Sequence, residues 1–294
     1  MKKLIVILAA AAALIFIPEM SSRAEDPSYV YTIIGNEATI IGYSGEPVYI
    51  EVPPTLEGCP VTGIRDNAFC ECSSLRSISL PDTIKEIGHH CFYACTSLES
   101  VVIPDSVTEI GDGCFCGCIS LLNAELPDSL SVLPDSCFRA CTSLRHISLP
   151  SGTVTVEDYC FSACTELAQV SLNEKLRILG KCSFYMCSSL DCLYIPESVN
   201  EIGEYAAGYV PAETGASQKE GFTILGQKDS EAEKYASENS LTFEKSSGAV
   251  QAMAAVEMSR KNPPYIYWIT AIWGAIAAVG ALTIVRIIHQ KSTK

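Results

Sequence analysis

Between positions 89 and 121 the chain reads HHCFYACTSLESVVIPDSVTEIGDGCFCGCISL, which puts five cysteines and two histidines into 33 positions. Thiolates and imidazoles are the ligands of tetrahedral zinc, and two thiols can also form a disulfide. Zinc needs four ligands converging on one point, whereas a catalytic thiol needs a base within hydrogen-bond reach. Which chemistry is open depends on the elements that position the 15 cysteines and 4 histidines of the 294-residue chain.

Those elements repeat. Phenylalanine recurs every 23 residues, at Phe69, Phe92, Phe115, Phe138, Phe161 and Phe184, and Ala207 takes the next slot. Three residues after each Phe stands a cysteine: Cys72, Cys95, Cys118, Cys141, Cys164 and Cys187. Three further on is Leu75, Leu98, Leu121, Leu144, Leu167 or Leu190. A short apolar alternation follows, as in SLRSISLP and SLDCLYIP, with Ile78 and Leu80 inward in the first full unit. Pro81, Pro104, Pro127, Pro150 and Pro196 then end strand pairing by removing an N–H. Gly88, Gly111, Gly180 and Gly203 suit a tight turn with positive φ, and Asp66, Asp112, Asp135 and Asp158 suit the cap of a short helical turn. One such unit cannot bury its apolar side alone, so the units stack as coils of a solenoid. The fold class read here is a repeat solenoid with one β-strand and one short helical turn per 23-residue coil.

The repeat accounts for most of the sulfur. Six cysteines fill the column after Phe, and Cys91, Cys114, Cys137 and Cys160 fill the slot just before it, which elsewhere holds Ala68, Ser183 or Ala206. Both columns take small side chains that tolerate burial. A column spreads ligands along an axis instead of gathering them, so no metal is expected, and no cofactor. His89 and His90 fall in slots that read as solvent. No Cys-x-x-Cys redox pair occurs, since Cys70/Cys72 and Cys116/Cys118 are one residue apart. Free buried thiols are the favoured state of the columns. Disulfides stay open, because equivalent Cα atoms in adjacent coils would lie within bridging range.

The chain ends differ from the repeat. Residues 1–24 read as a secretory signal: MKK, a fourteen-residue apolar run, and the small-x-small exit Ser22-Arg23-Ala24. Residues 265–288 include an uncharged run from Tyr265 to Val285, with Tyr265, Tyr267 and Trp268 at one end, which reads as a single transmembrane helix. Residues 246–264 form a tether and 289–294 a short basic cytoplasmic tail. Outside the signal and tail, 14 basic residues face 33 acidic ones, about −19 in sum. An acidic body argues against nucleic acid or anionic lipid as ligand.

The pattern IGDGCFCGCISL…LPDSL resembles the BspA-like branch of bacterial leucine-rich repeat proteins, and the resemblance runs over about residues 29–244. It implies a leucine-rich repeat solenoid: an N-terminal cap and entry coil at 25–57, repeats at 58–210 and a C-terminal cap at 211–245. Gly35-Asn36 reads as the turn of an entry hairpin. Residues near 230–238 read as a helix with Ala232, Tyr235 and Ala236 on one side. Cysteine before Phe departs from the family, where alanine is usual. The resemblance further implies a binding role, as a surface protein in adhesion or host contact; the residues themselves show no nucleophile–base or carboxylate pair outside the repeat, so no enzyme is expected.

The candidate binding face is the set of side chains flanking each inward strand residue. On it stand Arg76, Glu99, Asn123, Glu125, Arg145, His146, Gln169 and Asp191, with Tyr194 as an aromatic anchor. An extended strip suits a protein or glycan better than a small molecule. Two other classes stay in view. A structural or signalling subunit would pair its membrane segment with another membrane protein. An exported enzyme would need a nucleophile–base or carboxylate pair that the repeat does not already explain.

Overall fold

The computed structural model describes residues 28–246, and the expected signal, tether, membrane span and tail lie outside that range. Among the described residues no helix is long and apolar enough to cross a membrane.

The chain enters through β1 (Ser28–Ile34) and β2 (Glu37–Ser44), an antiparallel hairpin turning at Gly35-Asn36. Then come β3 (Tyr49–Glu51), β4 (Thr55–Leu56) and β5 (Cys59–Ile64). From there each coil contributes a three-residue strand and a two-residue strand. They are β6 (Ser77–Ser79) and β7 (Glu86–Ile87), β8 (Ser100–Val102) and β9 (Glu109–Ile110), β10 (Asn123–Glu125) and β11 (Val132–Leu133). The series continues with β12 (His146–Ser148) and β13 (Thr155–Val156), β14 (Gln169–Ser171) and β15 (Ile178–Leu179), β16 (Cys192–Tyr194) and β17 (Glu201–Ile202). The exit holds β18 (Tyr209–Pro211), β19 (Ala216–Gln218), β20 (Thr223–Gly226), α1 (Glu231–Glu238) and β21 (Thr242–Lys245). The result is a solenoid of about nine turns.

The coils pair in parallel with a shift of one repeat, so that Asn123 lies opposite Ser100 and His146 opposite Gln169. The two-residue strands build a second sheet, in which Glu86 lies opposite Glu109 and Val132 opposite Thr155. That second sheet is cut between β9 and β11. In neighbouring coils the residue after the strand donates its N–H one coil back, as Gly111 does to the Ile87 carbonyl and Glu157 to the Leu133 carbonyl. Pro134 occupies this position at the cut and has no proton to give.

Inside, the six phenylalanines are buried and their rings stack with centroids 5.2–5.5 Å apart and planes within 9° of parallel. A centroid spacing near 5 Å between parallel rings means they are offset, which the ring quadrupoles favour. Tyr43 of the hairpin continues the stack onto Phe69 at 5.8 Å. At the other end Ala207 leaves the ring slot empty, and Tyr235 of α1 fills the gap. Its hydroxyl donates to the Ala207 carbonyl at 2.9 Å and accepts from the Ala207 N–H at 3.1 Å. Ala232, Tyr235 and Ala236 are the buried face of α1.

Three expectations need correction. The segment around each Phe is not a helical turn. Residues two before and two after it have positive φ, as at Asn67 and Glu71, His90 and Ala94, or Ser136 and Ala140. Alternating hand points every second N–H out of the coil, so Asn67, Phe69 and Glu71 donate to the carbonyls of His89, Cys91 and Tyr93. A left-handed residue other than Gly costs about 1–2 kcal/mol, and the inter-coil bonds offset that cost. The aspartates therefore do not cap helices. Asp66 accepts from the His89 N–H and Asp158 from the Lys181 N–H, each joining one coil to the next. Finally, Gly88, Gly111, Gly180 and Gly203 do not have positive φ. They are small because a Cβ would stand 2.3–2.5 Å from the backbone of the preceding coil.

Candidate functional site

The cysteine and histidine cluster at 89–121 divides among these columns. Cys91, Cys95, Cys114 and Cys118 are buried and Cys116 is half-buried. All fifteen cysteines are free thiols. Cys95, Cys118, Cys141, Cys164 and Cys187 each direct Sγ–H at the carbonyl of the Phe 26 residues earlier, at 3.1–3.2 Å. Burial pushes these thiols up, Cys95 and Cys187 to about 12 and Cys118, Cys141 and Cys164 well up. A thiol held neutral in this way is neither a nucleophile nor a metal ligand. Cys72, placed with this core column, is only half-buried. It is first in the file, and the chain before it is a loop and hairpin, with no earlier Phe carbonyl to meet its sulfur.

His89 and His90 are both exposed. His89 sits in the aspartate slot and does the same job: its Nδ1 accepts from the Asp112 N–H at 2.9 Å. Among the described residues no group of three or more His, Cys, Asp or Glu side chains is placed to hold a metal ion.

On the outer face of the three-residue strands the structure places the predicted strip in register. Arg76, Glu99, Arg145, Gln169 and Asp191 are exposed, whereas Asn123, Glu125 and His146 are half-buried. Burial pushes the His146 imidazole below its ordinary value. Four of the strip's charges are already engaged along or beside it: Arg76 and Glu99 with each other at 3.5 Å, Arg145 with Glu166 at 3.1 Å, and Asp191 with Lys219 at 2.5 Å. The hydrogen-bonded ladder beneath runs unbroken from β3 through β6 and β8 to β10 and restarts with β12 and β14. These two stretches bring Arg76, Glu99, Asn123 and Glu125 together, and Arg145, His146 and Gln169 together.

Tyr194 does not serve as the exposed anchor expected of it. It is 7 % exposed, because β20 pairs with β16 and sets Leu225 opposite the tyrosine. The aromatic on this face is instead Tyr49, 55 % exposed, with Val48 beside it. Tyr49 pairs with Ser77 and so heads the same file as Ser100 and Asn123. The strip also carries Val102 at 54 % and Leu122 at 47 % exposure, between Glu99 and Glu125. The 23-residue period does not reveal Tyr49, because the entry coil is longer, with 28 residues from Tyr49 to Ser77. The signal was the match of VYIEVP at 48–53 to RSISLP at 76–81.

The face consists of two hydrogen-bonded stretches of short parallel strands and mixes exposed apolar side chains with acidic ones and ion-paired arginines. The family description "BspA type leucine rich repeat region" matches in six copies, over residues 62–162 and 146–210. Among solved structures, a leucine-rich repeat protein of T. pallidum is 24 % identical over 75 % of this chain and 98 % of its own, with a TM-score of 0.55. A leucine-rich repeat protein of Bacteroides ovatus is 23 % identical over 77 % of this chain and 67 % of its own, with a TM-score of 0.42. No match is found among curated proteins. With its repeat matched over half the chain and its coils wound as described, the protein belongs to the BspA-type leucine-rich repeat family.

Proposed function

We propose that this protein is a membrane-tethered, cell-surface binding ectodomain that holds a protein or glycan ligand along the outer face of its three-residue strands. The observation that carries the reading is the set of exposed apolar side chains, Val48, Tyr49, Val102 and Leu122, in or just before strands β3, β8 and β10 of one sheet, among Arg76, Glu99, Asn123 and Glu125. Apolar and aromatic groups ringed by polar ones mark binding surfaces rather than solvated ones. Membership in a family of repeat scaffolds that generally bind proteins supports the same reading. Arg145, His146 and Gln169 extend the face in the second stretch, and Asp191 closes it. In this reading residues 1–24 direct export and residues 265–288 anchor the chain. The buried thiols serve packing, and the protein is a scaffold without catalytic chemistry.

The test is binding of the intact protein to arrays of extracellular-matrix proteins and glycans, with Tyr49→Ala, Leu122→Glu and Arg145→Glu as variants. Loss of binding by tenfold or more in Tyr49→Ala and Leu122→Glu, with unchanged melting, supports the face. Full binding by all three variants places the ligand elsewhere, and turnover of a wall polymer by the wild type would favour an enzyme.

A further inference from the structure

The strand β1 ends its sheet. It pairs with β2 on one side, and among the described residues no strand pairs with its other side. Its seven residues, SYVYTII, contain no charge, no proline and no glycine. Edge strands usually carry such residues to block pairing with another chain, or are kept very short. The extra residue of the hairpin bulge, Ile41, falls in β2, because Val30 faces Gly42 and Tyr31 faces Ile40. The outer strand therefore keeps a regular row of backbone groups. Its solvent side shows Val30, Thr32 and Ile34, the last 73 % exposed, and Ile41 beside them. By contrast β21, at an edge of the exit sheet, ends in Glu244 and Lys245.

We infer that this edge is a pairing surface for a second copy of the same chain, joined β1 to β1 in antiparallel register about Thr32. The register follows from the sequence of the strand. Centring the two-fold axis on Thr32 sets Thr32 against its mate, Val30 against Ile34 of the other copy, and Ile34 against Val30. Apolar and hydroxyl side chains thus meet their own kind across the seam. Identical strands meet only by such an isologous contact when the assembly closes as a dimer. Charge selects the place. Residues 28–246 hold 30 acidic and 12 basic side chains, so two copies repel over most of their surfaces. The strand itself carries no carboxylate, so its own side chains set no like charges against one another; a nearby one, Glu57, is held on the Tyr31 hydroxyl at 2.9 Å.

The experiment is sedimentation of the full-length chain in detergent, wild type against Thr32→Lys, with a benzoyl-phenylalanine photo-crosslinker at position 32 in a parallel sample. Thr32 is exposed, so the lysine is carried without loss of melting temperature. The expected result is a wild-type dimer, a monomeric Thr32→Lys protein, and a crosslink from position 32 to residues 30–34 of another copy. A Val154→Lys variant, at an exposed position just before β13, stays dimeric. A monomeric wild type, a dimer that persists with Thr32→Lys, or crosslinks only to the chain's own C-terminal segment or to lipid would each overturn the assignment.

Discussion

The Sγ–H of Cys118 points at the carbonyl oxygen of Phe92, 3.2 Å away in the preceding coil. The same carbonyl accepts the Cys95 N–H of its own turn, at 3.2 Å. A carbonyl has two lone pairs, and in this column the second is met by sulfur from the next coil. The repetition in five coils shows why the slot prefers cysteine to alanine: the side chain is small enough for the seam and still satisfies a buried acceptor.

Cys118→Ala removes that weak donor and leaves a gap the size of one sulfur atom. The expected loss is about 1–2 kcal/mol, the usual range for a modest core truncation that also removes a polar contact. Urea unfolding followed by circular dichroism measures it. An unchanged midpoint would make the thiol contact incidental.

Phe115→Ala removes a ring stacked on Phe92 and Phe138 at 5.3 Å on both sides. A truncated buried aromatic costs about 3–5 kcal/mol. In a solenoid each coil leans only on its neighbours, so the loss also weakens the coupling between the two halves. At about 2–4 °C per kcal/mol for a domain of this size, the melting point falls by roughly 10 °C. A split of the calorimetric transition into two would confirm that coupling runs through the ring column. A shift within error would deny the ring its place in the core.

The 23-residue period, the Phe, Cys and Leu files and the parallel strands were legible because burial demands the same side-chain size at the same place in every coil. The hand of the turn was not legible. Ala94, Ala140 and Met186 take positive φ, and such residues give no sign of it in isolation; the conformation is forced by hydrogen bonds to the next coil. The glycine column misled for a related reason. Gly can answer a need for positive φ or a need for space, and only the placement of the neighbouring backbone distinguishes the two. On the candidate binding face, alternation marks the positions on either side of each inward strand residue, yet Tyr194 is outward and still covered. Its cover, β20, lies some thirty residues later, outside the repeat.

Gly111→Ala tests the close approach of coils. A Cβ there would lie 2.3 Å from the His89 nitrogen and 2.6 Å from the Gly88 carbonyl carbon, both backbone atoms that cannot rotate away. Overpacking of this kind costs about 1–3 kcal/mol. Gly35→Ala is the comparison: it meets nothing within 4 Å but holds φ at +65°, so its cost is conformational strain alone. Melting of both variants orders them, with Gly111→Ala expected to be the less stable. The reverse order would mean that the coils can spread at little cost.

The buried thiols make the fold sensitive to alkali. Burial raises the thiols of Cys95 and Cys187 from an ordinary 9.0 to about 12. The neighbouring columns at Cys91, Cys114 and Cys160 also move up, again chiefly through burial. Between the ordinary and the raised value the unfolded chain has lost its thiol proton and the folded chain has kept it. The folded state then binds more protons, so stability falls as pH rises; it is whole below pH 9. Each such thiol withdraws about 1.4 kcal/mol per pH unit, and several acting together make the loss steep. The expected outcome is a melting temperature level from pH 7 to 8.5 and falling sharply by pH 10–11, measured with reductant present to keep the thiols free. Tyrosines and lysines titrate in the same region, so the decisive comparison is Cys141→Ala, which removes one ionising group from the column. Its curve should fall less steeply than that of the wild type. Parallel slopes would show that the column thiols do not govern the alkaline limit.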